Sequence, residues 1–237
     1  MVVKRYRKED PNSYALGATL TIELLKCRPN IVNAVYYHSQ CKDVTPYETL
    51  CKAHGIPFIQ SDKAFNILSQ KENCFVLADF QKQSFELVQS ANHLLLVNPS
   101  NAGNLGTILR SAAAFGVEDV AVIAPAVDLY DPKTVRSSMG AVFHLRVKYY
   151  DSLSDYRREA GERHFYPFML KATETLKKVT PLYPCTLVFG NEATGLPDEY
   201  LSLGTPVIIR HTANVDSLNL PIAASIALFQ FFSETDD

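Results

Sequence analysis

The chain has 237 residues, 47% hydrophobic and 20% charged, so it can bury one large core or two small ones and has the composition of an ordinary soluble protein. Its net charge of −2 is not that of a strongly basic nucleic-acid binder, and no apolar run is long enough to cross a membrane. Its five cysteines form no CxxC pair, and none of its six histidines has the spacing of a metal-ligand pair. We therefore expect a cytoplasmic protein with no metal site, no disulfide framework and no membrane segment.

The first part of the chain, residues 1–85, alternates short helical and strand patterns. The patterns predict helices at 19–26, 46–54 and 62–68, and strands at 31–37, 57–59 and 74–80. This order is typical of a small α/β domain. Residues 86–92 are polar and lack apolar periodicity, and we interpret them as a linker. A small excess of basic residues in this front part is compatible with a surface that faces RNA.

The second part, residues 93–237, also alternates strands and helices. The predicted strands are 94–98, 120–123, 143–147, 165–170, 187–189 and 207–209. The predicted helices are 105–115, 132–139, 153–160 and 218–232. A regular strand-then-helix order predicts an α/β fold with a mostly parallel sheet covered on both faces.

Polar residues and glycines follow the predicted strand at 94–98. Asn104 and Arg110 stand in the run that leads into the next helix, with Gly103 and Gly106 beside them. Open α/β sheets bind ligands outside the carboxyl ends of their strands, so this cluster predicts a site for a polar, anionic substrate. A tight turn with a solvated arginine is the plain alternative. A dinucleotide site matches poorly, because the strict Gly-x-Gly-x-x-Gly run is absent.

A second cluster follows the strand predicted at 187–189. This strand runs directly into Gly190, and Glu192 stands between that glycine and Gly195. A carboxylate between two glycines at a strand end is more than a turn needs, although an ordinary loop acid remains an alternative.

A third cluster follows the strand predicted at 207–209. Ser217 and Asn219 precede an apolar helix, and Pro221 is tolerable only in the first turn of that helix. Both polar residues could simply cap the helix. Because all three clusters stand at strand ends, they can converge on one pocket.

These three clusters resemble the signature motifs of the SPOUT-class RNA methyltransferases, in the TrmH-like 2′-O-ribose branch. The first resembles Asn-x-Gly-x-x-x-Arg, the second Gly-x-Glu-x-x-Gly-Leu, and the third the closing Ser-Leu-Asn-x-x-x-Ala helix. The segment 138–145 also matches a stretch that these enzymes carry between the first two motifs. The resemblance covers 93–237, and by pattern alone the front part resembles the L30e-like RNA-binding domain that often precedes the catalytic domain.

The resemblance implies a deep C-terminal trefoil knot, S-adenosylmethionine as the cofactor, RNA as the substrate and a homodimer whose second subunit completes the site. The implied cofactor-contacting residues are Gly190, Ile209 and Leu218. The implied catalytic and substrate-positioning residues are Asn104, Arg110, Glu192, Ser217 and Asn219. Since a guanidinium stays protonated, we expect Arg110 first to bind the adjacent phosphate and polarise the 2′-hydroxyl, with a base role possible through phosphate or Glu192.

The chain departs from the family pattern near the third motif. Arg210 and His211 follow Ile209 where the family usually continues with Pro-Met, and Pro221 stands where small residues are common. Two other readings stay open. One is a non-enzymatic RNA-binding or ribosome-assembly factor with the same fold, and the other is a dinucleotide-dependent oxidoreductase.

Overall fold

The computed structural model describes residues 3–68 and 74–233, which form eleven strands and seven α-helices. The strands are β1 (Asn12–Leu16), β2 (Val32–Tyr37), β3 (Phe58–Gln60), β4 (Val76–Gln81), β5 (His93–Val97), β6 (Asp119–Ile123), β7 (Arg146–Tyr150), β8 (His164–Pro167), β9 (Glu174–Thr175), β10 (Cys185–Phe189) and β11 (Val207–Ile208). The helices are α1 (Ala18–Cys27), α2 (Thr45–His54), α3 (Asp62–Leu68), α4 (Ala102–Ala114), α5 (Pro132–Ser137), α6 (Leu153–Ala160) and α7 (Leu220–Phe232).

The chain divides into two compact units, of which the first comprises residues 1–83 and 128–144. Its four-stranded sheet has the order β1-β4-β2-β3, with β4 antiparallel to both of its neighbours and β2 parallel to β3. Strand β4 is almost entirely buried, because helices and the neighbouring strands cover its apolar side chains. The resemblance of this unit to an L30e-like domain stays a prediction.

Residues 128–144 pack within the first unit, although we expected 93–237 to form one domain. The Phe80 ring of β4 makes edge-to-face contacts with the ring of Tyr130, at 6.1 Å between centroids, and with the ring of Phe143, at 5.3 Å. The Tyr130 hydroxyl donates a hydrogen bond to the carbonyl of Gln83, and the Ser13 hydroxyl donates to the Tyr130 carbonyl. The segment therefore supplies part of the core of the first unit.

The second unit, residues 84–127 and 145–237, is built on a five-stranded sheet of order β7-β6-β5-β10-β8. Every pairing in this sheet is parallel, and β5, β6 and β10 are buried along their whole length. Continuous apolar strands of this kind are those of a parallel sheet covered on both faces. A two-stranded parallel pair, β9 with β11, lies beside it. The predicted α/β fold with a mostly parallel sheet is confirmed, whereas the trefoil knot stays a prediction.

The predicted elements match the observed ones closely at most of their ends, but the strand predicted at 165–170 ends at Pro167. Strands β1 and β9 have no predicted counterpart. Strand β1 follows a polar, charged run, and β9 has only two residues. The strand predicted at 143–147 begins at Arg146, since residues 141–143 form a 3₁₀ turn. The helix predicted at 105–115 begins earlier, at Ala102. None of the helices in the described ranges is long and apolar enough to cross a bilayer.

The amino-terminal edge of the parallel sheet is closed by a buried hydrogen-bonded chain. The ring nitrogens of His93 lie 2.9 Å from the Tyr156 hydroxyl and 2.9 Å from the Val88 carbonyl, and the Tyr156 oxygen lies 2.8 Å from that of Thr186. Arg163 in turn donates to the Thr186 hydroxyl. Burial, followed by the charge of Arg163, lowers the pKa of His93 to about 4, so this imidazole is neutral at pH 7. With Nε2–H donated to the Val88 carbonyl, Nδ1 accepts from the tyrosine, and every member of the chain has a partner.

Candidate active site

The carboxylate of Glu192 joins two loops at the carboxyl edge of the parallel sheet. Its Oε2 atom accepts hydrogen bonds from the backbone N–H of Ser100, at 3.1 Å, and from the Ser100 hydroxyl, at 2.8 Å. Its Oε1 atom accepts from the backbone N–H of Asn101, at 3.2 Å, and from the side-chain amide of Asn104, at 3.1 Å. The Asn191 amide also reaches the other loop, where it donates to the Asn98 carbonyl at 2.8 Å. The loop after β10 is thus tied to the start of α4.

These donors determine the protonation of Glu192. Burial raises the pKa of this carboxyl, but the hydrogen bonds from Ser100 and Asn104 more than offset that effect, and the net pKa lies below its ordinary value. The side chain is therefore ionised at neutral pH and is a weak proton acceptor. Its negative charge lies against the first turn of α4, where the helix dipole favours an anion. This geometry suits a positioning residue better than a general base.

Helix α4 starts before the predicted first residue because Asn101 caps it. The Asn101 side-chain oxygen accepts from the backbone N–H of Gly103 at 2.8 Å and of Asn104 at 3.2 Å. Asn104 and both glycines of the first cluster consequently lie inside the helix, and neither glycine has a positive φ. Neither glycine therefore uses a backbone conformation closed to other residues, because asparagine capping begins the helix at Ala102.

A cavity of about 360 Å³ opens beside this joint, between the loops that follow β8, β10 and β11. Such a volume lies within the range of sites for small molecules and cofactors. Much of its wall is apolar, from Phe168, Phe189, Leu196 and Ile208. The predicted site residues in its wall are Gly190, Glu192, Ile209, Ser217 and Leu218. All three predicted cofactor positions therefore meet in one place, although they come from two separate loops.

Gly190 shapes this cavity because no side chain fits at its position. A Cβ atom there would lie 2.2 Å from the backbone carbon of Gly195 and 2.4 Å from the backbone nitrogen of Leu196. The loop closes on itself at this point, where Asn191 and Gly195 form an isolated antiparallel bridge. Gly195 itself has a φ of 67°, in the left-handed region that favours glycine.

The other predicted catalytic residues lie outside the cavity wall. Arg110 is exposed on α4, about 9 Å further along the helix axis than Asn104. Asn219 occupies the N-cap position of α7 but makes no side-chain cap hydrogen bond, and Pro221 lies in the first turn as predicted. Among residues 3–68 and 74–233, the structure gives the side chains of Arg110, Ser217 and Asn219 no hydrogen-bond or ionic partner. The capping alternative for Ser217 and Asn219 therefore has no side-chain hydrogen bond to support it.

Sequence reasoning missed the polar residues that hold Glu192 in place, Ser100, Asn101 and Asn191. The sequence did carry a signal for Asn101, because asparagine is a preferred N-cap residue and Asn101 stands shortly before the predicted helix. His211, one of the departures from the family pattern, lines the cavity, and its ring lies 3.0 Å from the Thr212 carbonyl. Arg210 is exposed and is not part of the cavity wall.

The fold and the cavity define a class: an α/β protein with a ligand site at the carboxyl edge of a parallel sheet. Residues 91–229 match the model of the SpoU rRNA Methylase family, and the chain belongs to this family.

Known proteins resemble the chain over different lengths. It is 36% identical over 140 residues to an uncharacterized tRNA/rRNA methyltransferase of Synechocystis, a match that covers 58% of this chain and 51% of the relative. It is 27% identical over 222 residues to the 23S rRNA (guanosine(2553)-2′-O)-methyltransferase of Bacillus subtilis, covering 90% of this chain and 85% of that one. The chain thus spans about half the length of the first relative and most of the second.

A solved structure resembles the chain over nearly all of its length. The crystal structure of an AdoMet-bound rRNA methyltransferase from Sinorhizobium meliloti is 25% identical, with a TM-score of 0.80. The match covers 94% of this chain and 88% of the Sinorhizobium chain.

Proposed function

We propose that this protein transfers a methyl group from S-adenosylmethionine to a ribose 2′-hydroxyl of ribosomal or transfer RNA. The observation that carries the proposal is the cavity, which brings Gly190, Ile209 and Leu218 together next to Glu192. Membership of the SpoU rRNA Methylase family supports the same reaction. So do the names of the Bacillus relative and of the AdoMet-bound Sinorhizobium structure.

The cavity wall fits S-adenosylmethionine in its chemistry. The cofactor combines an adenine ring, which suits apolar walls, with polar edges that the backbone groups of the loops after Gly190 and Ile209 can bind. The ionised Glu192 in the wall adds a negative charge near a cofactor that carries a sulfonium cation. When bound, the cofactor supplies the methyl group.

The other steps, which are RNA binding and activation of the 2′-hydroxyl, depend on the polar residues of the three sequence clusters. Arg110 binds the phosphate next to the reacting ribose and polarises the 2′-hydroxyl, which a guanidinium does well because it is a permanent donor. Glu192 holds Asn104 and the start of α4 in place. The side chains of Ser217 and Asn219, which bond to no other group among the described residues, remain able to bind the RNA. The 2′-hydroxyl is the group that distinguishes RNA from DNA, so the substrate class follows from the reaction.

The active form we propose is a homodimer that covers one face of α7. Ile222, Ile226 and Phe229 stand at positions i, i+4 and i+7 of this helix and are 53%, 38% and 59% exposed. Three large apolar side chains on one helical stripe favour an interface over contact with water. Helix α4, which carries Arg110, packs against α7, so a second copy docked here would lie close to the arginine.

We place the protein in a reducing cytoplasm, because its five cysteines are scattered along the sequence and form no CxxC pair. The trefoil knot and the L30e-like nature of the first unit remain parts of this proposal.

Calorimetry with S-adenosylmethionine tests the cofactor. We expect the protein to bind it, and we expect Gly190→Ala to abolish binding because the added Cβ collides with the Gly195 backbone. Gly55→Ala is the control, because its Cβ meets no atom within 4 Å, its αL backbone costs an alanine only modest strain, and it lies outside the cavity. Absence of binding by the wild type would contradict the proposal and favour a non-enzymatic RNA-binding factor, and a preference for a dinucleotide would favour an oxidoreductase.

Two experiments test the proposed dimer: one measures whether the α7 surface holds it together, and the other asks in which subunit Arg110 acts. Phe229→Glu should convert the dimer to a monomer in sedimentation analysis, whereas Lys177→Glu, at an exposed position outside α7, should leave the dimer intact. If Arg110 acts in the site of its partner, a dimer of one Arg110→Ala subunit and one Gly190→Ala subunit regains one intact site. If it acts within its own subunit, that mixed dimer stays inactive.

A further inference from the structure

A cluster of three possible metal ligands lies in the first unit, among residues that the proposed methyl transfer does not use. Glu23 and Cys27 stand on consecutive turns of α1, at i and i+4, so both face the same side of the helix. His144 follows the 3₁₀ turn at 141–143, which packs against α1. The segment 138–145 that contains it was singled out in the sequence, but neither the cavity nor Glu192 gives it a role.

The three side chains meet at short distances. The Cys27 Sγ atom lies 3.1 Å from His144 Nε2 and 4.0 Å from Glu23 Oε2, and His144 Nε2 lies 3.5 Å from Glu23 Oε2. His144 Nδ1 is further from the sulfur, at 3.8 Å, so Nε2 is the nitrogen that faces both partners. One sulfur, one imidazole nitrogen and one carboxylate oxygen therefore form a compact triangle.

The backbone holds this triangle together. Gly140 has a φ of 94°, and a Cβ atom there would lie 2.9 Å from the Cβ of Glu23, so only glycine allows this close approach to α1. Arg28 donates a 2.6 Å hydrogen bond from Nε to the carbonyl of Phe143, the residue before the histidine. Two independent features thus place His144 against the acid and the thiol.

We propose that Glu23, Cys27 and His144 bind one divalent metal ion of the zinc type. In a tetrahedral zinc site with ordinary bond lengths, neighbouring sulfur, nitrogen and oxygen ligands lie about 3.3–3.6 Å apart, close to the distances seen here. A thiolate and a carboxylate balance the 2+ charge, and neutral imidazole is a common third ligand. Glu23 and His144 keep 35% and 50% of their side-chain surface exposed, which leaves the fourth position open to water.

The proposal runs against the sequence-based expectation of no metal site. That expectation rested on ligand spacing along the chain, whereas here 117 residues separate the cysteine from the histidine. The competing explanation is a thiol–imidazole hydrogen bond beside a Glu23–His144 ion pair, with no metal. The two explanations differ in what the protein binds.

Cobalt titration of the reduced full-length protein tests the proposal, because Co²⁺ reports on its ligands. We expect one Co²⁺ per chain, with visible bands of a tetrahedral ion and a thiolate-to-cobalt charge-transfer band that Zn²⁺ abolishes by displacement. Cys27→Ser should remove the charge-transfer band. His144→Ala and Glu23→Gln should each weaken binding by more than the roughly 10- to 100-fold that loss of an outer-shell partner costs.

Cys41→Ser and His54→Ala are the matched controls, since both residues lie outside the cluster, and they should bind cobalt like the wild type. Glu23→Gln keeps the shape of the side chain, so it reports on ligation even if the other variants unfold, and circular dichroism verifies the fold of each. Three results would overturn the proposal: no charge-transfer band in the wild type, a band that survives Cys27→Ser, or weak binding that all three cluster variants leave unchanged.

Discussion

The two edges of the five-stranded parallel sheet hold their polar groups in opposite ways. At the amino edge, His93 is neutral and fully buried, and each polar atom from Arg163 to the Val88 carbonyl has a protein partner. At the carboxyl edge, Glu192 is ionised and sits beside an open cavity. Ser217 in the wall of this cavity and Arg110 on α4 have no polar partner in the described part of the chain.

The difference separates stability from function within one sheet. Buried polar groups that satisfy one another stabilise the folded state, and their loss is felt as unfolding. Polar side chains left without a protein partner at the ends of strands remain available for a ligand. We therefore expect substitution of the side chains without a protein partner to affect methyl transfer, and substitution of groups that bond to other protein groups, at either edge, to affect stability.

The largest effect is expected at Arg110. Arg110→Ala should lower the rate of methyl transfer to RNA by about 100- to 10,000-fold, the range typical of a lost catalytic group, because phosphate binding and polarisation of the hydroxyl are lost together. Transfer of a labelled methyl group measures the rate, and calorimetry should show unchanged binding of S-adenosylmethionine. Arg158→Ala on α6, where the arginine makes a surface ion pair with Asp155, is the control. Near-normal transfer by Arg110→Ala would remove this residue from the mechanism.

The next effect is expected at His93 and concerns stability. Its pKa falls from 6.5 to about 4 on folding, so between these pH values the unfolded chain binds a proton that the folded chain does not. The free energy of unfolding should therefore drop as the pH falls through this window, by about 3 kcal/mol in total from this group. Asp119 and Arg146 also face the imidazole and change the window slightly.

Denaturant unfolding at several pH values measures this slope. His93→Gln should flatten the dependence between about pH 6.5 and 4, whereas the same change at the exposed His54 should leave it unaltered. An equal slope in wild type and His93→Gln would show that the imidazole is not neutral in the folded protein.

The smallest effect is expected at Glu192. Glu192→Gln should lower the free energy of unfolding by about 1 kcal/mol at pH 7, because it puts an amide donor opposite the N–H groups of Ser100 or Asn101. The pKa of the Glu192 carboxyl is lower in the folded protein than in the unfolded chain, so the ionised side chain stabilises the fold at pH values above the unfolded-state pKa. This stabilisation is lost as the pH falls through the folded-state pKa. The difference in unfolding free energy between wild type and Glu192→Gln should thus shrink as the pH falls below the ordinary pKa of a glutamate.

Glu162→Gln, an exposed acid at the other edge, is the control and should match the wild type at each pH. If Glu192→Gln instead abolished methyl transfer while Asn104 stayed in place, as judged by a crystal structure, the carboxylate would be the base after all.

Much of this architecture could be predicted from the sequence, because it depends on local patterns. Apolar runs such as 94–98 and 187–189 identify buried parallel strands, and glycines at their ends mark the loops of the site. Contacts between distant residues could not be predicted in this way. Nothing in the sequence shows that Glu192 accepts its hydrogen bonds from Ser100 and Asn101, some ninety residues earlier.

The same limit applies to the segment 128–144. Its helical pattern was predicted, but a pattern carries no information about the sheet against which the helix packs. Its contacts assign it to the first unit, among them the ring contacts of Tyr130 and Phe143 with Phe80.

This assignment has a consequence for the order in which the protein is made. Phe80 leaves the ribosome well before Tyr130 and Phe143, and two strands of the parallel sheet, β5 and β6, are synthesised in between. The first unit therefore cannot complete its core during translation until part of the second has already emerged. A fragment that ends at residue 85 would expose the apolar face that Phe80 normally buries, so it should aggregate rather than serve as a separable RNA-binding module.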